Sequence, residues 1–111
     1  MKKLILLGIA AFFSLATPAM FGADAGENWG KFCASCHGKD GAGKTKAGRL
    51  VKAKDLTDAA NQKSFTDDEA FKAVKEGMQD KDGNTKMKPM QDKLTDDEIK
   101  GLVAYVRTLA K

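Results

Sequence analysis

The sequence predicts an all-α fold, because helix signals recur along the chain and no segment shows the alternating pattern of a β-strand. Two segments, Thr66–Glu69 and Thr95–Glu98, have the sequence of a capping box, in which the threonine and glutamate side chains bind backbone N–H groups at the start of a helix. Each is followed by apolar residues at helical spacing, and an earlier segment around Trp29 has the same spacing. We expect three to four helices and no strand in one small domain.

The first helix is expected at about Gly26–Cys36. Its apolar residues fall at i, i+3, i+4 and i+7 and include both cysteines; they are Trp29, Phe32, Cys33 and Cys36. The glycines that follow, at positions 38, 41, 43 and 48, predict irregular chain. The few apolar anchors of this irregular stretch are expected to be Leu50, Val51 and Leu56.

The second and third helices are expected to begin at the two capping boxes. On the second helix, Phe71, Val74 and Met78 share an apolar face, which predicts that they pack in the core, and Gly77 suits the C-terminal end. A turn is expected at Asp82–Asn84. The apolar stripe of the third helix consists of Ile99, Leu102, Val103, Val106 and Leu109.

A run of five residues, Cys33-Ala34-Ser35-Cys36-His37, contains both cysteines and the one histidine of the chain. This C-x-x-C-H spacing is the attachment signature of a c-type haem. Cys33 and Cys36 lie on one helical turn, where each thiol can form a thioether to a haem vinyl group, and His37 then reaches the iron as an axial ligand. A structural zinc site needs four ligands, and a disulfide or a redox dithiol leaves His37 without a role. The motif therefore predicts one covalent haem, with the disulfide and the dithiol as weaker alternatives.

The segment Gly38–Thr45 matches the phosphate-binding pattern G-x-x-x-x-G-K-[ST] in its letters alone. A phosphate-binding loop connects a buried strand to the start of a helix, whereas this segment follows the helix that carries the cysteines. We therefore expect no bound nucleotide, and we interpret the segment as a glycine-rich turn close to the haem edge.

Residues 1–25 have the pattern of an export signal. Two lysines precede the apolar run Leu4–Phe13, and small residues form possible cleavage sites after Ala19 and after Ala25. An uncleaved membrane anchor is the alternative, but the dense apolar part is too short to span a bilayer. We take residues 1–25 as the signal and residues 26–111 as the folded domain.

Cleavage after Ala25 removes 25 of 111 residues and leaves 86, with 17 basic and 14 acidic side chains. The resulting net charge of +3 is too small to argue for a nucleic-acid partner. A domain of this size is only marginally stabilised by an apolar core alone. A buried porphyrin would supply much of the missing apolar surface.

From about Gly26 to Lys111 the chain resembles the small class I monohaem c-type cytochromes. The resemblance is carried by Cys33–His37, by Met87-Lys88-Pro89 before the last helix, and by Leu102–Arg107. It implies a cytochrome c-like fold wrapped around one covalent haem c, with the first and last helices crossing near Trp29 and Tyr105. Because bacteria attach this cofactor outside the cytoplasm, it also implies a periplasmic or otherwise exported protein, soluble after signal cleavage.

A methionine is expected as the second axial ligand, since the chain has no second histidine. Three methionines remain after signal removal: Met78, Met87 and Met90. The last two lie in the loop before the final helix, which Pro89 stiffens. Family spacing favours Met87, seven positions before Leu94, and leaves Met90 as the alternative ligand or as a packing residue over the haem. Lys88 is a departure, because many relatives have the ligand methionine directly before the proline.

The resemblance implies an electron carrier rather than an enzyme. A methionine thioether raises the reduction potential relative to bis-histidine ligation, and it fills the position that peroxide or a gas would need. The alternatives are an electron-accepting haem subunit of a dehydrogenase complex and, less favoured, a haem peroxidase or gas-binding protein. We expect a monomer whose redox partner proteins dock at the haem edge, steered by flanking basic residues. These residues are Lys44, Lys46, Arg49, Lys52, Lys54, Lys86, Lys88 and Lys93.

Overall fold

The computed structural model describes residues 20–111, and helices dominate it, as predicted. Most of the predicted signal segment, residues 1–19, lies outside the described residues. The helical elements are α1 (Met20–Asn28), a π-helical turn (Trp29–Cys33), α2 (Ala34–His37), α3 (Lys46–Val51), α4 (Ala59–Lys63), α5 (Asp67–Glu76) and α6 (Asp96–Thr108). Two short strands, β1 (Met78–Gln79) and β2 (Thr85–Met87), lie between α5 and α6.

The first three helical elements follow one another without a break, so the predicted helix at Gly26–Cys36 is confirmed and extended at both ends. At the π-helical turn, the backbone N–H of Ala34 donates to the carbonyl of Trp29, five residues earlier. Such turns insert one extra residue into a helix and are frequent at functional sites. Here the turn lies directly before the second half of the cysteine motif, while α1 packs against α6.

Both capping boxes form as predicted and start α5 and α6. The hydroxyls of Thr66 and Thr95 accept backbone N–H groups from Glu69 and Glu98, whose carboxylates accept the threonine N–H groups in return. Helix α5 ends at Gly77, whose φ of 79° is a conformation that glycine adopts without steric cost. Among the residues whose burial the structure describes, Ile99 and Leu102 of α6 are the largest fully buried side chains.

The stretch that was expected to be irregular contains two short helices. Thr45 caps the start of α3 by accepting the N–H of Gly48, and Asp58 caps α4 by accepting the N–H groups of Ala60 and Asn61. The prediction that Leu50 anchors this stretch in the core is wrong, because Leu50 points outward from α3 and is 78% exposed. Leu56 is buried as predicted.

The antiparallel pair β1–β2 contradicts the prediction that the chain has no strand. Met78 pairs with Met87, and the predicted turn connects the two strands, with Gly83 at a φ of 86°. These strands are too short to show an alternating pattern in the sequence. Since Gly77 ends α5, Met78 leaves the helical face and is 48% exposed, so the prediction that it packs in the core is wrong.

The core lies where α1, the π-helical turn, α5 and α6 meet. Its buried residues include Ala25, Trp29, Cys33, Leu56, Val74, Met90, Leu94, Ile99 and Leu102. The ring centroids of Trp29 and Tyr105 are 5.5 Å apart, which confirms the predicted crossing of the first and last helices. Among the helices of residues 20–111, none is long and apolar enough to cross a membrane.

Candidate functional site

The cysteine motif lies at the C-terminal end of the first helical stretch, partly inside the core. Cys33 is buried among core residues, and Cys36 and His37 are half-buried. Both cysteines are free thiols. The disulfide considered as an alternative is therefore not formed, and two thiols and an imidazole are available within five positions of one helix end.

The surroundings of Cys33 and His37 favour the neutral forms of these two side chains. Burial raises the pKa of the Cys33 thiol to about 11, with a further contribution from the nearby Cys36. Burial also lowers the pKa of His37 below its usual value. The imidazole is consequently neutral at pH 7, which is the form that can donate a nitrogen lone pair to a metal.

The end of α2 is held by hydrogen bonds from outside the helix. The hydroxyl of Thr45 lies 2.7 Å from the carbonyl oxygen of Ser35 and 3.0 Å from that of Cys36. The backbone N–H of Gly43 donates to the carbonyl of His37 at 2.7 Å. The last carbonyls of a helix have no partner within it, so these donors fix the part of the chain that carries the cysteine and the histidine.

Trp29 completes the surroundings of His37. Its indole N–H donates to the carbonyl of Gly38, the next residue after His37, at 3.0 Å. The centroid of its ring is 5.5 Å from that of the His37 imidazole and 5.5 Å from that of the Tyr105 ring. Trp29 therefore contacts both the last helix, through Tyr105, and the imidazole of His37.

His37 also carries a polar atom without a partner. Its Nδ1 is buried and makes no hydrogen bond within the described part of the chain. Buried polar atoms are nearly always paired, and an exception calls for an explanation such as a missing ligand or ion. Free thiols at Cys33 and Cys36 beside an unsatisfied imidazole form the donor set that covalent haem attachment requires.

The methionine loop is attached to the end of α5. The N–H of Met90 donates to the carbonyl of Val74 at 2.9 Å, and the N–H of Gln91 donates to the carbonyl of Lys75 at 3.2 Å. Gly77 lies so close that an added Cβ would be 2.6 Å from the carbonyl oxygen of Met87. These contacts fix the backbone on both sides of Pro89.

The three candidate methionines occupy different environments. Met87 is half-buried and packs against the core cluster that contains Cys33, so the structure brings these two predicted residues to one cluster. Met90 is 8% exposed within that cluster, as expected for a packing residue. Met78, at 48% exposure, faces largely outward.

Sequence reasoning missed two residues of this region, Thr45 and Gly48. In the sequence, Thr45 is only the last position of the rejected phosphate-binding pattern, and Gly48 is only one of several glycines. An added Cβ at Gly48 would collide with the carbonyl oxygen of Cys36. Threonine is one of the residues preferred at the start of a helix, and that preference at Thr45 is the sequence signal that could have indicated α3.

The comparisons with known proteins agree with this arrangement. The model of the cytochrome c family, described as "Cytochrome c", matches residues 23–110. A solved structure of the KustC0563 c-type cytochrome is similar, with a TM-score of 0.69 and 32% sequence identity, over 79% of this chain and 99% of that chain. A point mutant of the same cytochrome, in which a tyrosine is replaced by phenylalanine, gives a TM-score of 0.66 and 31% identity, over 78% and 98% of the two chains. The search of curated proteins gave no match.

Proposed function

Since this chain belongs to the cytochrome c family and its cofactor is accordingly one covalent haem c, we propose that it is an exported electron carrier with histidine and methionine as axial ligands. In this proposal Cys33 and Cys36 form the thioethers, and His37 and Met87 bind the iron. The family and the similar c-type cytochrome structure support an electron-carrying haem protein in general. The ligands, the partners and the location are the specific part of the proposal.

The observation that carries the proposal is the state of the cysteine motif. Cys33 and Cys36 are free thiols one helical turn apart, and His37 beside them has a buried nitrogen without a partner in the described chain. Covalent haem would use both thiols and give the imidazole its function as a ligand. The disulfide and the dithiol each leave His37 without a role, and a structural zinc site needs four ligands, whereas the described residues hold no group of three or more metal-binding side chains.

Met87 is the better candidate for the second ligand because of its exposure and its anchored backbone. A half-buried thioether at the edge of the core can turn toward a cofactor, whereas Met90 already packs inside the core. The contact of Gly77 with Met87 and Pro89 and the hydrogen bond from Met90 to Val74 hold the loop in place. A fixed ligand loop supports a ligand set that stays the same in both oxidation states.

When bound, the haem supplies reversible one-electron chemistry between ferrous and ferric iron. The residues of this chain set how easily that electron is gained or lost. A neutral thioether at Met87 favours the ferrous state and raises the potential. Trp29, Leu102 and the other core residues keep water away from the buried side of the site, which has the same effect on the potential.

The partner surface that we propose is the outer face of α3 and its flanks. Between residues 41 and 54 the chain has five basic residues, all exposed, and no acidic one. Leu50, 78% exposed, lies among them, and α3 packs against α2, which carries Cys36. A basic face with one apolar contact suits a redox protein with an acidic surface, since long-range attraction speeds encounter and still permits rapid release.

The ligand assignment is tested by replacing Met87 and Met90 separately with alanine in the ferric holoprotein. We expect Met87→Ala to abolish the absorption band near the red end of the spectrum that reports methionine–iron bonding, to lower the potential and to admit cyanide. Met90→Ala should keep the band and lose only core packing, about 2–5 kcal/mol of unfolding free energy. The absorption spectrum and denaturant unfolding measure the two effects.

The spectra should be recorded near pH 6, because a deprotonated lysine of the same loop can replace a missing methionine at high pH. The high reference pKa of lysine disfavours that substitution in mildly acidic solution. A band that survives in Met87→Ala and disappears in Met90→Ala would show that Met90 is the ligand. A wild-type protein without the band, open to carbon monoxide, would instead favour the gas-binding or peroxidase alternative.

A further inference from the structure

We propose that Thr45 is a positioning residue for the iron ligand His37, an inference that rests on the ligand role given to His37 above. Its hydroxyl oxygen lies 2.7 Å from the carbonyl oxygen of Ser35 and 3.0 Å from that of Cys36. A hydroxyl has one proton to donate, so the two carbonyls share it. Thr45 is ten residues away from Ser35 in the sequence and joins α3 to the end of α2.

The same hydroxyl also holds α3. It accepts the backbone N–H of Gly48 at 2.9 Å, the usual contact of a residue that caps the start of a helix. Gly48 in turn lies directly on α2, where an added Cβ would collide with the carbonyl oxygen of Cys36. One oxygen atom therefore couples the first turn of α3 to the carbonyls just before His37.

The end of α2 depends on such outside contacts because α2 is the last turn of the continuous helical stretch that begins at Met20. The last carbonyls of a helix have no partners within it. Gly43 holds the carbonyl of His37, and Trp29 holds that of Gly38. Thr45 binds the carbonyls of Ser35 and Cys36, the two residues before His37. Loss of the Thr45 hydroxyl therefore leaves these two carbonyls without this donor.

The competing explanation is that Thr45 acts only as a helix cap for α3. The chain offers a matched control, because Thr66 caps α5 with the same side chain and the same kind of contact. The hydroxyl of Thr66 bonds to Glu69 within its own helix and makes no hydrogen bond to the haem motif. A difference between the two positions therefore isolates the contacts with Ser35 and Cys36.

The experiment compares Thr45→Val, Thr45→Ser and Thr66→Val as full-length holoproteins. Valine has the shape of threonine without the hydroxyl, and serine keeps the hydroxyl. The readouts are the hyperfine-shifted proton resonances of the His37 ring in the ferric protein and the reduction potential. Neither responds to the loss of a distant helix cap.

We expect Thr45→Val to move the His37 resonances and to lower the potential, because a loosened helix end admits water that favours the ferric charge. Thr45→Ser should restore both to the wild-type values, and Thr66→Val should leave both unchanged while lowering stability. Resonances and potential that stay at the wild-type values in Thr45→Val would overturn the proposal. An equal change in Thr66→Val would overturn it as well.

If Thr45→Val does not take up haem, Thr45→Asp replaces it in the comparison. Aspartate still accepts the N–H of Gly48 and caps α3, but it has no proton for the carbonyls of Ser35 and Cys36. The readout for this variant is the His37 resonances alone, with the same expected change and the same contradicting result as for valine, because the added carboxylate lowers the potential by its own charge. A failure of this proposal is distinguishable from a failure of the proposed function, since a wild-type ferric protein without hyperfine-shifted resonances from the His37 ring would show that His37 is not an iron ligand.

Discussion

Gly77 has a positive φ and also lies against the methionine loop, and only a residue without a side chain meets both conditions at low cost. Its φ is 79°, and an added Cβ would lie 2.6 Å from the carbonyl oxygen of Met87 and 2.8 Å from the nitrogen of Pro89. It therefore ends α5 and at the same time lets the methionine loop pack against that end. The position of the proposed ligand depends on this single close approach.

Replacing Gly77 with alanine should destabilise the protein and displace the methionine loop. Backbone strain at positive φ costs about 1–3 kcal/mol, and the clash with Met87 adds to it. Gly83→Ala is the matched control, since Gly83 has a φ of 86° but open space around its Cβ position. Denaturant unfolding should show a loss in both variants, larger in Gly77→Ala, while only Gly77→Ala weakens the methionine–iron band. Equal effects on the band would mean that the contact with Met87 is unimportant.

The residues of the candidate site were predictable where their chemistry is local in sequence. Cys33, Cys36 and His37 are recognised from their spacing alone, and the structure adds only their burial and partners. Thr45 was missed because its contacts with Ser35 and Cys36 arise from tertiary packing. Leu50 was assigned to the core because an apolar residue in a glycine-rich stretch has no periodicity that shows which way it faces.

At the scale of elements, the helices with both a cap and an apolar stripe were predicted with correct starts. Helices α5 and α6 have both signals, and the structure starts them at the two capping boxes. Helices α3 and α4 are six and five residues long, too short for a stripe, and are held by contacts with the rest of the chain. The β1–β2 pair is shorter still, and its pairing depends on the turn and on Gly77.

Helix α1 bears on the choice between the two predicted cleavage sites. Ala25, where the second site would cut, is 2% exposed and belongs to the core cluster. Cleavage there would remove the first six of the nine residues of α1, the helix that packs against α6. The structure of this element therefore favours the first site, after Ala19.

We expect cleavage of the predicted signal after Ala19, so that the mature holoprotein begins at Met20. Intact-mass measurement and N-terminal sequencing of the protein purified from its native host, or from a host that matures c-type cytochromes, give the answer. A variant with Gly22–Ala25 deleted should unfold at lower denaturant concentration, because the buried Ala25 is lost. A mature N-terminus at Gly26, in a protein of unchanged stability, would contradict this expectation.

For the whole molecule, the charge distribution is more informative than the net charge of +4. All charged residues from Lys44 to Lys54 are basic, whereas the first turns of α5 and α6 each contain three acidic residues. Acidic side chains at these helix starts also interact favourably with the helix dipoles. A molecule of this kind orients in the field of a charged partner, which a uniform surface with the same net charge would not do.

Charge reversal on α3 should therefore slow electron transfer with an anionic partner more than an equal reversal elsewhere. The test compares Lys46→Glu/Arg49→Glu with Lys72→Glu/Lys100→Glu, exposed residues of α5 and α6 that give the same change in net charge. Ferricyanide, a small anionic oxidant, serves as the probe in stopped-flow measurements on the reduced holoprotein. At low ionic strength the α3 variant should react several-fold more slowly than the control variant, and the difference should disappear near 1 M salt, where the screening length is about 3 Å. Equal rates for the two variants at low salt would mean that net charge, and not the face formed by α3, governs the encounter.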